Sequence, residues 1–408
     1  MKIAIIDQPY CNRGDESAHK AFIRQLVKAL PGSSFDVFCR TPNYYEIEDL
    51  NVNIDNVRYL NLNLGRFYSK IIRYTYYANI VFLSYLYRPL YRFKKLLKQY
   101  DYIIGAPGGM NMGGFRDWLH LWFFETAYRL KKPVLYWGRS IGPFNEKDCK
   151  SVIFKKHSLK LLDYFSYISL RDRISVNCAV EMGIKAEETI DSAFLECPNA
   201  TIPCNVMEKI NSNDYVVYVP NELTWHPHFP KSLQQRIDNF YVRIIDMINN
   251  EYPRSKIVML PQTYKSVIND YSYFKRLRDI SQNGHIVVID ENQNSDIQQK
   301  IIAGAKLVIG ARYHSIVFAI NNSIPFISLS YEHKMKGLLD ELSMSSCLVE
   351  IQDIFNDDLK VQHCISDIRQ KMLLAEPSIQ AKKQAHNIAA NSFEKFVRQI
   401  TKKCKRYS

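Results

Sequence analysis

Short apolar runs rich in β-branched residues alternate along the chain with longer segments whose apolar positions recur every three to four residues. The short runs predict buried strands, and the longer segments predict amphipathic helices. Helices are predicted at residues 18–30, 233–249 and 295–305, among others. Strands that alternate with helices predict parallel sheets. The predicted strands are 3–6, 102–105, 134–137 and 168–170 in the first half, and 215–219, 257–260, 286–289, 307–309 and 326–329 in the second.

One polar stretch separates the two groups of strands. Residues 196–213 contain two prolines and several asparagines, which is typical of a linker. Because 408 residues exceed what one compact core usually holds, we predict an α/β protein with two Rossmann-like domains, at 1–200 and 201–375. A C-terminal helix and basic tail follow at 376–408, and we expect the helix to cross back onto the first domain. Parallel sheets that face a cleft present their ligand-binding loops at the carboxyl ends of the strands.

Composition narrows the class of protein. Apolar residues make up 47% and charged residues 23%, as in an average globular protein, which excludes a disordered, collagen-like or polytopic membrane chain. The formal net charge of +13 favours anionic partners such as nucleotides, phosphosugars, anionic lipid surfaces or nucleic acid. The sequence has no zinc-finger, helix-turn-helix or aromatic RNA-binding motif. We therefore expect no specific nucleic-acid partner, although generic electrostatic binding would need no motif.

The cysteines and the first residues of the chain indicate in which cellular compartment the protein is expected. The nine cysteines are scattered without C-x-x-C pairs, and their odd number argues against a disulfide framework. Met1 leads directly into the strand at 3–6, without the apolar core or cleavage site of a signal peptide. We therefore expect a cytoplasmic protein.

The first strand is followed by Asn12, Gly14 and Asp15 in the sequence N-R-G-D-E-S-A, a turn that leads into a helix. Backbone N–H groups at such a helix start can hold an anion or a sugar hydroxyl. Asp15 and Glu16 fit a plain helix start equally well, because acidic side chains favour the positive end of the helix dipole. The chain lacks the G-x-G-x-x-G fingerprint of dinucleotide binding.

Two more strands of the first half end in loops that contain glycine. The loop at 105–114 includes Gly108, Gly109 and Asn111, and repeated glycine lets the backbone approach a ligand closely. A loop with tight turns is the alternative. A later strand end, G-R-S-I-G, offers Arg139 as a cation near two glycines.

Arg171 stands where the strand at 168–170 gives way to a helix. A guanidinium at that place can bind a carboxylate or a phosphate through two parallel hydrogen bonds. The alternative is a surface ion pair with Asp172, which would contribute little to stability.

The segment L-V-I-G-A-R-Y-H-S is the most informative one. A buried strand runs into a glycine, and Arg312, His314 and Ser315 then open an apolar helix. Arginine supplies a fixed positive charge, histidine can exchange a proton near neutral pH, and the helix N-terminus adds N–H donors for phosphate. A lone histidine is more often structural, but Arg-x-His at a strand-to-helix turn indicates a functional site.

Other strand ends supply weaker candidates. Lys334 can contact a phosphate as a point charge, or it can be a solvated surface lysine. Gln262 follows the strand at 257–260 and can hydrogen-bond a ligand. His226 and His228 have no accompanying set of cysteine or carboxylate ligands, so we expect no required metal.

Residues 66–100 place basic residues and tyrosines around an uncharged centre at 74–87. That centre is shorter than the about 20 residues of a helix that spans a bilayer. Tyrosine together with Lys and Arg suits the interface with anionic lipid, so one interpretation is peripheral contact with the inner face of a membrane. The other is a pair of helices, broken near Pro89 and packed on the first domain.

The order of these motifs resembles that of the polysaccharide pyruvyl transferase family. The motifs are N-x-G-D, a Gly-Gly loop, S-L-R-D, R-x-H and Y-x-x-K, spread over roughly residues 1–345. The resemblance implies two Rossmann-like domains of the GT-B type, phosphoenolpyruvate as the donor and a ketal-linked pyruvate on a sugar as the product. It also implies donor binding and catalysis for Arg312 and His314, with Arg171 at a matching position.

The resemblance leads to a hypothesis for the reaction. Arg171 and Arg312 would neutralise the anionic groups of phosphoenolpyruvate, and His314 would act as the general acid. The acceptor is expected over the first domain, against the loop at 108–114 and Asp15. It is implied to be a hexose such as galactose on a polyprenyl-diphosphate-linked glycan of capsular or exopolysaccharide biosynthesis. No cofactor is required besides phosphoenolpyruvate as the donor substrate.

Two other functions stay open at this point. A sugar-nucleotide glycosyltransferase would use the same two-domain cleft for a nucleotide diphosphate. A non-catalytic protein that binds glycans or a lipid surface would make Arg312 and His314 purely structural and would release no phosphate.

Overall fold

The computed structural model describes residues 1–10, 12–40, 48–113, 115–144, 146–210, 214–264, 269–290 and 292–404. Some residues considered in the sequence analysis lie outside the described residues, namely one of the nine cysteines (Cys11), Gly114 of the glycine loop, residues 211–213 of the linker, and the end of the basic tail from residue 405.

The chain divides into two compact units. The first contains residues 1–10, 18–195 and the C-terminal segment from Asn387, and the second contains 12–17 and 196–386. The boundary thus lies five residues before the position inferred from the sequence. Residues 12–17, which the sequence analysis placed in the first domain, belong to the second unit.

The strands predicted from the apolar runs are present in both units. In the first unit, the described strands are β1 Lys2–Gln8, β2 Ser34–Cys39, β3 Val57–Asn61, β4 Tyr102–Gly105, β5 Met112–Gly113, β6 Phe115–Arg116, β7 Val134–Arg139, β8 Tyr167–Leu170 and β9 Glu187–Glu188. Seven of them form a parallel sheet in the order β3-β2-β1-β4-β7-β8-β9, and β5 and β6 form a separate antiparallel pair.

Helices cover both faces of this first sheet. They are α1 Arg13–Ala29, whose first turn belongs to the second unit, α2 Tyr68–Tyr77, α3 Arg88–Leu97, α4 Trp118–Arg129, α5 Cys149–Tyr164 and α6 Arg173–Glu181. Alternate residues of a strand point to opposite faces. Accordingly, Ala4 and Ile6 of β1 join one hydrophobic core, and Ile3 and Ile5 join the other.

The second unit repeats the same plan. Its described strands are β10 Tyr215–Val219, β11 Lys256–Met259, β12 Ile286–Val288, β13 Leu307–Gly310, β14 Phe326–Ser330 and β15 Leu348–Glu350. They form a parallel sheet in the order β12-β11-β10-β13-β14-β15. Its helices are α7 Cys204–Ile210, α8 Gln234–Glu251, α9 Asp270–Ser281, α10 Ser295–Ala303, α11 Tyr313–Asn321, α12 His333–Glu341 and α13 Asp358–Leu374.

Both sheets have the strand order of a doubly wound Rossmann fold. In such a sheet, ligands bind outside the carboxyl ends of the strands, at the point where the strand order reverses. That point lies between β1 and β4 in the first unit and between β10 and β13 in the second. The sequence motifs after these strands are therefore the first places to look for a site.

The last helix, α14 Ile379–Cys404, begins in the second unit, and from Asn387 onwards it belongs to the first unit. Phe396 packs 5.8 Å from Phe22 and 6.0 Å from Trp137, measured between ring centroids. The Tyr102 hydroxyl donates to the Ile400 carbonyl at 3.0 Å. Among the helices of the described residues, none combines the length and hydropathy needed to cross a bilayer.

Candidate active site

The turn between β13 and α11 carries Arg312 and His314, and two neighbouring residues fix its shape. Arg312 is the extended N-cap residue of α11. The Ser315 hydroxyl donates to the Arg312 carbonyl at 2.6 Å, so its hydrogen bond fixes the turn from within. Gly310 leaves the space for that hydroxyl, because a Cβ at this position would overlap it.

The guanidinium of Arg312 is paired with a carboxylate that the sequence analysis did not select. Arg312 Nη2 donates to Asp270, the buried first residue of α9. The other carboxylate oxygen of Asp270 accepts from the backbone N–H groups of Gln262 and Thr263, at 3.0 and 2.9 Å. Asp270 therefore links the turn after β11 to the guanidinium of Arg312 after β13 and fixes their relative positions.

Arg312 stays charged in this surrounding. Burial of the guanidinium acts against its charge, but the Asp270 carboxylate outweighs burial and raises the pKa of Arg312 above its usual value. The nearby Tyr331 keeps its proton, because burial raises the pKa of its phenol to about 12 even though Arg312 acts in the opposite direction.

Some buried polar atoms of this site have no hydrogen-bond partner within the described part of the chain. They include Arg312 Nε, Gln262 Nε2 and Thr263 Oγ1. A buried polar group without a partner costs about 1–3 kcal/mol, and native proteins contain few of them. Donors grouped next to a positive charge are suited to hold the oxygen atoms of an anion.

The motif that follows β1 lies against His314. Gly14 is the contact point, since a Cβ there would overlap the imidazole. The Asn12 side-chain oxygen accepts from the Gly14 N–H at 2.7 Å and shapes the turn. Asn12 also forms a β-bridge with Thr263. The structure thus brings N-x-G-D, R-x-H and the turn with Gln262 together within the second unit.

Arg13, inside the N-x-G-D motif, and Glu16, directly after it, hold the motif in place, and neither was selected as a site residue from the sequence. The Arg13 guanidinium is buried, lies 3.9 Å from the ring centre of Tyr264 and pairs with Glu16 at 2.6 Å. Glu16 also accepts from the N–H and hydroxyl of Ser295, both at 2.9 Å, and so caps α10. The spacing of Arg13 and Glu16, one helical turn apart, is the only sequence signal for the pair.

Asp15 and Lys334 lie at more accessible places. Asp15 is partly exposed on the first turn of α1. Lys334 forms an ion pair with Glu332 at 3.3 Å and is also partly exposed. Both are available to a ligand that approaches from solvent.

The candidates of the first unit form a separate group. Arg139 is fully buried, and its guanidinium donates to the carbonyls of Ala106 and Gly109, at 2.5 and 3.3 Å, and to the side-chain oxygen of Asn111 at 2.7 Å. Gly108 has a φ of 156° and forms a bridge with Arg139. These contacts hold the glycine loop on the end of β7.

Asp7, at the end of β1, is the centre of a buried ionic network that the sequence analysis missed. It accepts hydrogen bonds from Arg40 and His120, and Arg139 lies 3.6 Å away. Burial acts to raise the pKa of Asp7, but the surrounding cations overcome it and hold the pKa far below the usual value. Burial and Arg139 lower the pKa of His120.

A cavity of about 350 Å³ opens beside this network. Arg40 lines it together with Asn61, Asn63 and Tyr68. Arg40 also pairs with Asp117 at 2.7 Å, so its planar group is oriented from two sides. Amide, guanidinium and aromatic groups around a cavity are suited to hydroxyl-rich ligands.

Arg171 is paired inside the first unit. Its guanidinium contacts Asp191 at 2.7 Å and the hydroxyl of Ser140 at 3.1 Å. The alternative considered from the sequence was a pair with Asp172, but Asp172 instead caps α6 through the N–H of Ser175. The sequence-predicted residues thus fall into one group in each unit. Among the described residues, no three His, Cys, Asp or Glu side chains are arranged to hold a metal ion.

The fold and these two groups define a class, the GT-B-like α/β proteins with two parallel sheets. Solved structures with this fold are similar over nearly the whole chain. The UDP-GlcNAc 2-epimerase of Methanocaldococcus jannaschii has a TM-score of 0.58 at 15% identity, covering 96% of this chain and 100% of that chain. The Neisseria meningitidis UDP-GlcNAc 2-epimerase bound to UDP-GlcNAc has a TM-score of 0.59 at 10% identity, covering 98% and 100%. Sucrose-phosphate synthase of Thermosynechococcus elongatus has a TM-score of 0.56 at 11% identity, covering 100% and 99%.

The family follows from the sequence over the same region. The polysaccharide pyruvyl transferase model matches residues 12–333, so the chain belongs to that family. The amylovoran biosynthesis protein AmsJ of Erwinia amylovora is 23% identical over 389 residues, which are 88% of this chain and 90% of AmsJ. The expected family and GT-B-like fold are thereby confirmed, and the chain is a transferase of polysaccharide biosynthesis.

Proposed function

We propose that this protein transfers pyruvate from phosphoenolpyruvate to two hydroxyls of a hexose, such as galactose, in a growing capsular or exopolysaccharide. Membership of the pyruvyl transferase family supports the reaction class. The observation that carries the proposal is the arrangement of Arg312, His314 and Gln262 in the second unit. It combines a charged guanidinium, an imidazole and unpaired donors at the carboxyl edge of one sheet.

Phosphoenolpyruvate fits such a site because it carries a phosphate and a carboxylate on three carbons. Arg312 would bind one of these groups through Nε–H, while Asp270 holds Nη2 of the same guanidinium. Gln262 Nε2 and the N-terminus of α11 would supply further donors to the same anion. Lys334 would add a second positive charge, and Arg171 would serve as a substrate-binding cation of the first unit.

The proposed reaction begins with proton transfer from His314 to the methylene carbon of the donor. The neighbouring carbon becomes electrophilic, and the oxygen of a sugar hydroxyl bonds to it with loss of its proton. The bond between this carbon and the phosphate oxygen then breaks, and a second hydroxyl adds to form the cyclic ketal. The products are the pyruvylated sugar and inorganic phosphate, so no redox partner or cofactor is needed.

The acceptor is proposed to bind the first unit. The cavity beside Arg40 and the loop with Gly108, Gly109 and Asn111 offer guanidinium and amide groups for sugar hydroxyls. Asp15 is proposed to orient or deprotonate the attacking hydroxyl. We propose a polyprenyl-diphosphate-linked glycan as the acceptor, and the cytoplasmic face of a membrane as the place of reaction.

The test measures phosphate released from phosphoenolpyruvate in the presence of candidate lipid-linked glycans. His314→Gln should lower kcat by about 10²–10⁴-fold, as expected for loss of a positioned general acid, with donor binding largely kept. His363→Gln is the matched control, since His363 is exposed on α13 and should remain fully active. Full activity of the His314 variant would exclude its acid role. Sugar binding without phosphate release by the unmodified protein would instead indicate a non-catalytic glycan-binding protein.

A further inference from the structure

Residues 66–98 of the first unit form two helices joined by a short 3₁₀ helix, the connector, and this segment is only partly buried. Tyr76 on α2 packs 5.3 Å from Trp118, and Phe93 on α3 packs 5.5 Å from Trp122, between ring centroids. The connector, a 3₁₀ helix at Val81–Leu86, is fixed by a hydrogen bond of 3.0 Å from the Trp122 indole to the Ser84 hydroxyl. The segment therefore has a well-defined outer side.

Several large apolar and aromatic side chains of this segment are exposed to solvent. The exposed fractions are 54% for Phe67, 67% for Tyr74, 54% for Phe82, 82% for Leu86 and 53% for Tyr91. Single exposed apolar residues are common on soluble proteins, but a contiguous group of them marks an interaction surface. Leu86 and Phe82 both lie on the connector, so the connector exposes two large apolar side chains.

The same outer side is strongly basic. Residues 66–100 contain eight Lys and Arg residues and no Asp or Glu. On α2, Lys70 and Arg73 flank Tyr74, and on α3, Arg88 and Arg92 flank Tyr91, all of them exposed. None of these four cations forms an ion pair with any carboxylate in the described part of the chain. Their charge is thus available to an external anion.

We infer that this basic aromatic face, formed by the exposed side chains of residues 66–98, docks on a membrane surface that contains anionic lipid. Apolar side chains that enter the boundary of headgroups and acyl chains, surrounded by Lys and Arg that contact headgroups, are the physical basis of interfacial binding. Nucleic acid would use the cations but would leave Leu86 and Phe82 unexplained. The inference does not depend on the proposed reaction.

The experiment is flotation of the full-length protein with vesicles. Binding to vesicles of equal parts phosphatidylcholine and phosphatidylglycerol is expected, with little binding to phosphatidylcholine alone. Binding should weaken as salt rises, because the Debye length falls to about 8 Å at physiological ionic strength. Equal binding to both vesicle types, or none to either, would overturn the inference.

Two variants test the face itself. Replacing Lys70, Arg73, Arg88 and Arg92 by Gln should weaken binding by about fivefold for each cation near the surface, since each contributes about 1 kcal/mol. The matched control replaces four exposed lysines elsewhere by Gln and should bind as the unmodified protein does. The lysines of this control are Lys28, Lys185, Lys231 and Lys360. Equal loss in both variants would mean that net charge, not this face, drives binding, and would refute the proposal.

A separate variant tests the exposed apolar side chains of the face, and its result distinguishes a membrane surface from a nucleic-acid surface. Phe82→Ser with Leu86→Ser should weaken vesicle binding while the remaining binding keeps its salt dependence. If these substitutions leave vesicle binding unchanged, while the four-Gln variant loses affinity for a single-stranded oligonucleotide, the face is a nucleic-acid surface instead. Phosphate release from phosphoenolpyruvate with candidate lipid-linked glycans in detergent solution, without vesicles, is measured in parallel. Its absence would refute the proposed reaction and leave the membrane result standing.

Discussion

At the scale of single residues, the proposed donor site depends on close contacts that leave no room for larger side chains at certain positions. Arg312 is fixed by the carboxylate of Asp270 and by the hydroxyl of Ser315. His314 lies directly on Gly14, so the imidazole can occupy its position only because residue 14 has no side chain. Gly14 belongs to the N-x-G-D motif, and Arg312 and His314 belong to R-x-H. The close packing of Gly14 on His314 therefore explains why a glycine stands in the first motif.

Gly14→Ala should therefore displace the His314 ring and reduce turnover. A shift of about 1 Å in a catalytic group can cost about 10²-fold in rate, so we expect a loss of that order in phosphate release. The measurement is kcat and KM for phosphoenolpyruvate at saturating acceptor.

The matched control for this substitution is Gly337→Ala in the middle of α12. A Cβ there meets nothing within 4 Å, and the change should stabilise the helix by about 1 kcal/mol without loss of activity. Unchanged activity of the Gly14 variant would show that the contact with His314 has no part in positioning the ring.

At the scale of elements, apolar runs predicted nine of the thirteen described strands of the two parallel sheets, and polar residues explain why two of the others, β2 and β3, were missed. Strands β4 and β10, and residues 3–6 of β1, are continuous apolar segments buried on both faces, which is the pattern of central parallel strands. Strands β2 and β3 were not predicted because Asp36 and Arg58 interrupt their apolar runs. In the structure, these two residues form a double hydrogen bond between neighbouring strands, each at 2.7 Å, and neutralise each other.

The candidate site was predictable only where one short segment carries several functional groups. Arg312 and His314 are two residues apart, and their chemistry is visible in the sequence. Asp270 lies 42 residues from Arg312, and nothing local distinguishes it from other acidic residues that begin helices. The Asp7 network joins positions 113 residues apart, so only the fold brings Asp7 to His120. For the same reason, the sequence did not show that residues 12–17 belong to the second unit.

The contact between α5 and α2 leads to a prediction for how the stability of the protein depends on pH. His157 on α5 stacks edge-on against Tyr76 at 4.9 Å. Burial, with nearby Lys160 and Lys156, lowers the pKa of His157 to about 4, whereas a histidine in the unfolded chain has a pKa of about 6.5. The unfolded chain therefore takes up a proton first as the pH falls. The stability contributed by the neutral imidazole is complete above about pH 6.5 and is lost towards about pH 4.

We expect this loss to be at most about 3 kcal/mol, since one pKa unit corresponds to about 1.4 kcal/mol and solvent screening reduces the effect. The measurement is the free energy of unfolding of the unmodified protein and of His157→Gln at several pH values from 7.5 to 4. The difference between the two should change in favour of the variant by about this amount. His120 acts in the same direction in both proteins and cancels in the difference. A difference that is independent of pH would contradict the assignment.

The C-terminal helix is predicted to contribute directly to the core of the first unit. Phe396→Ala removes a ring that contacts Phe22 and Trp137, and should lower the free energy of unfolding by about 3–5 kcal/mol. Denaturant unfolding followed by tryptophan fluorescence measures the change. Leu373→Ala on α13 is the control, because Leu373 is 67% exposed and its loss should change stability by no more than about 0.5 kcal/mol. Equal effects of the two substitutions would mean that α14 does not pack as described.

At the scale of the whole molecule, the fold alone does not determine whether the donor is phosphoenolpyruvate or a sugar nucleotide. The two doubly wound sheets occur in enzymes that act on sugar nucleotides as well as in this family, so the charge and hydrogen-bonding groups of each unit must decide. In the second unit, the positive site is a short turn around Arg312 with few donors. That is enough for a doubly anionic three-carbon molecule. The net charge of +13 adds long-range attraction for either kind of donor and does not discriminate between them.

Thermal unfolding with each donor makes the distinction. A ligand that binds only the folded protein stabilises it by about 2.7 kcal/mol at one hundred times its Kd, so phosphoenolpyruvate should raise Tm by several degrees and UDP-GlcNAc should not. Arg312→Gln should abolish the shift because the charge that holds the anion is gone, whereas Arg173→Gln should keep it, since Arg173 is 70% exposed and lies on α6 of the first unit. A shift with UDP-GlcNAc alone would identify a sugar-nucleotide glycosyltransferase on this fold. A shift with phosphoenolpyruvate that persists in Arg312→Gln would place the donor elsewhere and remove the physical basis proposed for the reaction.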